Sequence, residues 1–273
     1  MKIIILGSGT SQGIPIIGCK CPVCTSSNPK DKRLRVSVYI ETKTPAKDTP
    51  LKILIDTSPD FRQQMLVNNL NDIDAILYTH HHIDHIMGLD DIRQINQLHH
   101  KAVDVYGNED TINHIKRAFS YIFDENTYKG GGIPNIDTNV ITTGTFNVHG
   151  VDIVPIKYFH GPTVVFGYRI GGFAYMTDCS MIPEEEFTKL AGLDLLVIDA
   201  LRYRPHPTHF SIDEAVAVTK RINPKQTYFT HMTHDLLHDE VNANLPENIQ
   251  LAYDGLTISI TNDVPQGGIS TAA

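Results

Sequence analysis

The segment YTHHHIDHIMGL, residues 78–89, sets His80, His82, Asp84 and His85 in the order H-x-H-x-D-H directly behind an apolar run. Alternating residues on an extended segment, followed by a turn into a helix, can aim imidazoles and a carboxylate at one point. Neutral imidazole and carboxylate oxygen are ligands for zinc, iron or manganese, so the pattern is metal chemistry by residue type. Three adjacent histidines alone would read as a solvated loop; the ordered spacing behind a buried strand argues otherwise. Three more candidates stand at the ends of apolar runs downstream: His160 in KYFHGPT, Asp178 in MTDCS and His231 in FTHMTH. Each alone is an ordinary loop residue, but together and in this order they extend one ligand set.

A second cluster, GCKCPVC at 18–24, holds Cys19, Cys21 and Cys24, three of the chain's four cysteines. Three is the wrong number for disulfides and one short of a closed tetrahedral zinc site. The opening MKIIILGSG has too few apolar residues for a signal-peptide core, and no run approaches the roughly 18 residues of a membrane span. The expectation is a cytoplasmic chain with no membrane partner, where a tight cysteine cluster binds metal more often than it forms disulfides. Reduced, unliganded thiols remain the alternative at this point.

Strands that end along one rim would bring these residues together. Short β-rich runs recur at 2–6, 36–42, 51–56, 75–79, 103–106, 151–156, 164–170, 173–177, 195–199, 226–230 and 256–260, many closing on a polar residue. Helical spacing is clearest over 212–222, where Ser211 and Glu214 form an S-x-x-E capping box. Further helices are expected near 60–70, 89–98, 110–122, 184–191 and 236–244. Segments 43–50 and 125–139 read as flexible. No internal repeat occurs, and the β-rich pattern resumes unchanged past both segments, so one domain over 1–273 is expected. A formal net charge of −8 offers no broad basic face, which makes long nucleic acid a poor partner. The loop GSGTSQG has G-x-G-x-x-x-G spacing and is followed by Ile14-Pro15, which is not a dinucleotide fingerprint.

With these residues in view, the sequence resembles the metallo-β-lactamase superfamily from ILGSGTSQG to DGLTISI. The resemblance implies an α/β fold, a four-layer αββα sandwich, with a dinuclear metal centre at one edge. It implies that His80, His82 and His160 hold one divalent ion, that Asp84, His85 and His231 hold the other, and that Asp178 bridges them. An Asp at the bridging position belongs to the hydrolase branches and not to antibiotic hydrolysis. More narrowly, GCKCPVC resembles the phosphoribosyl cyclic phosphodiesterase group of the carbon–phosphorus lyase pathway. That group implies a structural zinc on Cys19, Cys21, Cys24 and His234, three residues beyond His231. PTHFSIDEA, 207–215, resembles phosphodiester-cleaving members and implies that His209 is a general acid, with His206 its nearest competitor.

The implied reaction is hydrolysis of a small cyclic phosphate ester, phosphoribosyl 1,2-cyclic phosphate or a cyclic nucleotide. A hydroxide bridging two zinc or manganese ions would attack phosphorus, Asp84 would orient it, and His209 would protonate the leaving oxygen. A homodimer is implied by resemblance alone. The rival readings are an RNA 3′-end nuclease of the tRNase Z type, disfavoured by the charge, and a glyoxalase-type thioesterase. A non-hydrolytic accessory protein of the pyrroloquinoline quinone branch shares the cysteine cluster but has no need of a general acid. An oxygen- or nitric-oxide-reducing di-iron protein would place Glu where His82 stands. Among the remaining residues, His81 is expected in a supporting or solvent-facing position. His99, His100, His114, His149 and His238 are expected on the surface or in loops, and Cys179 as a buried thiol. Arg202 and Arg204 could grip a phosphate or face solvent. The stretch 108–140 is longer than the narrower group suggests and could lie over the site.

Overall fold

The computed structural model describes residues 1–261 other than 129 and 131. In chain order the strands are β1 (Lys2–Gly7), β2 (Ser37–Thr44), β3 (Lys47–Ile55), β4 (Ala75–Leu77), β5 (Val103–Gly107), β6 (Ile136–Val140), β7 (Phe146–Val148), β8 (Val151–His160), β9 (Thr163–Ile170), β10 (Phe173–Met176), β11 (Leu195–Asp199), β12 (Gln226–Thr230), β13 (Ile249–Leu251) and β14 (Thr257–Ser259). The α-helices are α1 (Pro22–Thr25), α2 (Phe61–Val67), α3 (Ile83–Ile86), α4 (Ile92–His99), α5 (Glu109–Ala118), α6 (Ser120–Phe123), α7 (Ile212–Ile222) and α8 (His238–Asn242).

Among the described residues the strands form two seven-stranded sheets, ordered β14-β1-β2-β3-β4-β5-β6 and β13-β12-β11-β10-β9-β8-β7. Each is antiparallel in one half and parallel in the other. The strand period of two explains the layering. On β1, Ile3 and Ile5 face the second sheet, where Tyr168, Phe173 and Val197 meet them, while Ile4 and Leu6 face outward onto Phe61, Met65 and Ile92. On β11, Leu195 and Val197 face inward, and Leu196 and Ile198 pack with Ala215 and Ile222 of α7. Both faces of each sheet are therefore covered, which is why these strands read as unbroken apolar runs. The architecture is the expected αββα sandwich. No helix among the described residues is long and apolar enough to cross a membrane.

Helix α7 has the expected bounds, and both bonds of its capping box are present, with Ser211 as N-cap and Glu214 returning to it. Elsewhere local composition misled. Segment 43–50 is not a loose loop but the tip of the β2–β3 hairpin, paired out to Thr44 and Lys47. Lys47 and Lys101 both bind Asp74, and Lys52 binds Asp72, so cross-strand ion pairs and ladder bonds override the Pro-rich signal. The end of segment 125–139 is β6, parallel to β5. The side chain of Asn96 clamps its entrance by accepting from Asn135 N and donating to Asn135 O, both at 2.9 Å. The expected strand over 151–156 continues to His160, and β6, β7 and β13 are short strands that periodicity did not signal. Helix α5 packs Ile112 and Ile115 into the outer layer of the first sheet, while its first turns touch His81 beside the histidine motif.

Candidate metal centre

The parallel halves of the two sheets deliver their carboxyl ends to one rim, where side chains of an α/β sheet are free to converge. Asp56 follows β3, His80 follows β4, Asp178 follows β10, Asp199 ends β11 and His231 follows β12; His160 ends β8. Asp56, Asp178 and His231 all turn off their strands with left-handed φ values of 62°, 56° and 61°. Such conformations are uncommon for residues with a Cβ and gather at functional sites, where surrounding structure enforces them.

The seven candidate ligands meet in overlapping groups. Ligand atoms of His80, His82 and His160 lie within 4.8 Å of one another, as do those of Asp84, His85 and His231. Asp178 stands between the groups: its Oδ2 is 3.3 Å from His85 Nε2, and its Oδ1 is 3.2 Å from His231 Nε2 and 3.9 Å from His160 Nε2. Asp84 Oδ2 lies 3.3 Å from His85 Nε2 and 3.8 Å from His231 Nε2.

The outer hydrogen bonds fix the tautomers, as they must for imidazole to coordinate. Asp56 accepts from His85 Nδ1 at 2.7 Å and from Thr79 Oγ1 at 2.8 Å. Thr79 Oγ1, its proton committed to Asp56, accepts from His80 Nδ1 at 3.0 Å. His160 Nδ1 donates to the Thr208 carbonyl at 2.8 Å. The Nε2 lone pairs of His80, His85 and His160 are thereby left facing inward. Nε2 of His85 and of His231 is buried with no hydrogen-bond partner, and His80 Nε2 faces His82 Nδ1 at 3.0 Å. Buried nitrogens of this kind need a cation or a shared proton between them, so the donor set fits divalent metal.

The electrostatics agree. Burial, and for His80 also the neighbouring His85, lowers the pKa of His80, His82 and His160 and keeps them neutral. Burial opposes charge on His85, but Asp84, Asp178 and Asp56 overcome it and push its pKa well up. That reports a negative field at the point where a cation would sit. Burial also opposes ionisation of Asp84 and Asp178, yet the facing histidines hold both below the usual carboxylate range.

His209 sits beside this cluster without belonging to either ligand group. Its ring is stacked on His231, centroids 4.8 Å apart, and edge-on to His160 at 4.6 Å. Its Nδ1 donates to Asp199 Oδ2 at 3.0 Å. Burial disfavours the imidazolium, but Asp199 outweighs it and raises the pKa to about 9. His206 is more exposed, its ring 5.1 Å from His209, and its Nδ1 is engaged by Thr208. Arg202 donates to the carbonyl of Arg204, and the largely exposed Arg204 lies 3.8 Å from Asp235 in the loop after β12.

The cysteine cluster finds its fourth member 210 residues from Cys24: His234 Nδ1 lies 3.3, 3.4 and 3.7 Å from the Sγ atoms of Cys19, Cys21 and Cys24. Backbone N–H groups of Cys24 and Ile16 donate to Cys21 Sγ and Cys24 Sγ, both at 3.4 Å. Gly9 forms β-bridges with Arg35 and Met232, so the N-terminal loop is laced to the strand end that carries His231 and His234. A Cβ on Gly9 would lie 2.9 Å from the Arg33 carbonyl oxygen; this close approach, not a phosphate, explains the G-x-G spacing.

Sequence reasoning missed three contributors. Asp56 and Asp199 occur in ILID and LLVID, where a strand closing on Asp was visible but not its partner. Arg33, 1% exposed, donates to the Thr233 and Leu236 carbonyls at 3.0 and 2.6 Å and pins the loop between His231 and His238. His238, expected on the surface or in a loop, is instead buried at the start of α8, edge-on to Tyr253, and its backbone N–H donates to Asp31 at 2.8 Å. Cys179 is fully buried, as expected.

Comparison with known proteins gives the following. Residues 52–232 match the family model described as a beta-lactamase superfamily domain. A solved structure titled as a new diphosphatase from the PhnP family superposes with a TM-score of 0.86 at 43% identity, covering 94% of this chain and 96% of that one. Zn(2+)-bound PqqB from Methylobacterium extorquens shares the fold, with a TM-score of 0.72 at 19% identity, covering 95% of this chain and 100% of that one. A curated protein of Porphyromonas gingivalis (strain ATCC BAA-308 / W83) named octanoyltransferase is 39% identical over 258 residues, 94% of this chain. This chain spans about half of that protein's length, 51%.

Proposed function

This chain belongs to the beta-lactamase superfamily, and from that premise we propose that it is a metal-dependent hydrolase that opens a small cyclic phosphate ester, of the phosphoribosyl 1,2-cyclic phosphate or cyclic nucleotide kind. The observation that carries the reading is His209: an imidazole held protonated by a buried carboxylate at the edge of a seven-donor metal cluster. His80, His82 and His160 would hold one divalent cation and Asp84, His85 and His231 a second, with Asp178 shared between them. Zinc or manganese held there supplies Lewis acidity at a phosphoryl oxygen and lowers the pKa of a water.

The chain's own residues supply the rest. Asp199 fixes the His209 ring through Nδ1, so Nε2 is the atom that carries a proton to the departing oxygen. Asp84, a member of the second group, also orients the nucleophile by accepting a hydrogen bond from it. Asp56, through His85 and Thr79, holds two rings in register before substrate arrives. Cys19, Cys21, Cys24 and His234 form a closed Cys₃His set with no open position, which is structural and suited to zinc.

Two expected results follow from these roles. Because Asp199 raises the His209 pKa to about 9, turnover falls on the alkaline side as His209 loses its proton above that value. Asp199→Asn removes the anion, so the alkaline limb of a kcat–pH profile moves to lower pH; an unmoved limb would reject the coupling. Cys24→Ser should lose one equivalent of metal by elemental analysis. Metal loss is among the few point changes that reach about 4 kcal/mol. At roughly 2–4 °C per kcal/mol for a chain of this order, calorimetry should show Tm about 10 °C lower.

A second reading, hydrolysis of a diphosphate linkage, is favoured by the 43% identity to the PhnP-family diphosphatase. Octanoyl transfer through a cysteine is not favoured: burial pushes the Cys179 thiol well up, and the other three cysteines form the Cys₃His set. About half of the relative that bears that name lies outside the match. Phosphorus NMR on metal-loaded protein separates the readings, using ribose 1,2-cyclic phosphate 5-phosphate, cyclic nucleotides, a nucleoside diphosphate ester and an RNA 3′ end. Conversion of a cyclic ester to a phosphomonoester is expected. Cleavage of the diphosphate alone would select the second reading, and inertness of every compound with metals bound would end both.

A further inference from the structure

A second group of side chains brings metal-ligand residue types together apart from the seven-donor cluster. His81, the middle residue of the histidine triplet, reaches the first turns of α5, where its ring lies flat against His114. The centroids are 3.7 Å apart and the planes within 9° of parallel. Asp110 offers one oxygen to each ring: Oδ2 is 3.2 Å from His81 Nδ1, and Oδ1 is 3.3 Å from His114 Nδ1. We propose that His81, Asp110 and His114 form a separate site for a first-row divalent cation of the zinc, nickel, cobalt or copper class, which fastens α5 to the loop carrying His80 and His82.

Residue chemistry, spacing along α5 and the proximity of the donor atoms support the site. Two imidazoles and one carboxylate are a borderline donor set that favours these ions over magnesium or calcium. Asp110 and His114 are four apart on α5, so both project from one helix face, and His81 closes the group from a different segment. Donors bound to a tetrahedral ion at about 2.0–2.1 Å stand roughly 3.3–3.4 Å from one another. The two observed separations, 3.2 and 3.3 Å, approach that spacing but run to different oxygens of Asp110, and the parallel rings have to turn out of their stack to aim both lone pairs at one ion. One ligand atom from each of the three residues can be chosen so that all lie within 4.8 Å of one another.

The site opens to solvent, since the side chain of Asp110 is 64% exposed and those of His81 and His114 are 21% and 36% exposed. Water can therefore complete the coordination shell. One interaction competes: His114 Nδ1 also lies 2.8 Å from the Asp110 carbonyl oxygen and donates to it when protonated. An incoming cation has to displace that bond, which sets its affinity below that of the closed Cys₃His set. The consequence is mechanical. The position between His80 and His82 would be tied through the ion to α5, whose Ile112 and Ile115 are embedded in the outer layer.

The inference goes beyond the proposed reaction and holds whichever substrate is cleaved. The purified protein, with its resident metals, is dialysed to equilibrium against rising Ni²⁺, and total bound metal of every element is counted. Wild type is expected to plateau one equivalent above Asp110→Asn and His114→Ala. Asp110→Asn keeps the size of an exposed side chain, so the comparison stands even if His114→Ala does not fold. Equal plateaus for wild type and Asp110→Asn across the titration would overturn the site.

Discussion

His209→Ala is expected to lower kcat by about 10²- to 10⁴-fold, the range for a lost general acid, with bound metal unchanged by elemental analysis. The two readouts separate because His209 contributes to neither ligand group and binds Asp199 through Nδ1. Its Nε2 is then the one ring atom free to meet substrate. His209→Gln should fare nearly as badly, since an amide can hydrogen-bond but cannot give up a proton at this pKa. Joint loss of metal and activity would instead make His209 a ligand. The same reasoning assigns Asp199 a positioning role, and its variant is read by the pH profile.

Asp178→Asn should have the other large effect. The carboxylate faces His85, His231 and His160 at 3.3, 3.2 and 3.9 Å, so it contacts both ligand groups at once. An amide of the same shape presents one acceptor oxygen and no charge to a field that His85 and His231 need to be negative. Residues that merely orient metal ligands cost about 10- to 100-fold on mutation, and a ligand shared by two sites should exceed that. We expect activity to fall more than about 100-fold. At least one equivalent of metal should be lost, while the Cys₃His equivalent stays bound. Full metal content with wild-type turnover would remove Asp178 from the centre.

How far this site was legible in the sequence depends on how local each relation is. The H-x-H-x-D-H run needs only one strand and the turn after it, so its residues announce themselves. Asp56 and Asp199 do not, because sheet order decides whether a strand-end carboxylate meets a histidine. β3 lies beside β4, which places Asp56 under His85; β11 lies between β10 and β12, which places Asp199 between Asp178 and His231. His234 was supplied by family resemblance, since nothing near GCKCPVC indicates a partner more than two hundred residues away. The four layers were likewise supplied by family resemblance, and the unbroken apolar strands agree with sheets covered on both faces. The 43–50 hairpin and β6 were not, because ladder bonds, cross-strand lysine–aspartate pairs and the Asn96 clamp lie outside any local window.

The most direct test of proton donation at a scissile P–O bond is a leaving-group series. Metal-loaded wild type and His209→Ala are compared on phosphodiesters whose leaving groups run from alkyl alcohols to nitrophenols. The account predicts hydrolysis by the wild type and a large deficit of the variant on alkyl esters, shrinking steadily toward the nitrophenyl ester, whose leaving group needs no proton. A deficit of constant size across the series, or no phosphodiester hydrolysis by the metal-loaded wild type, would contradict it.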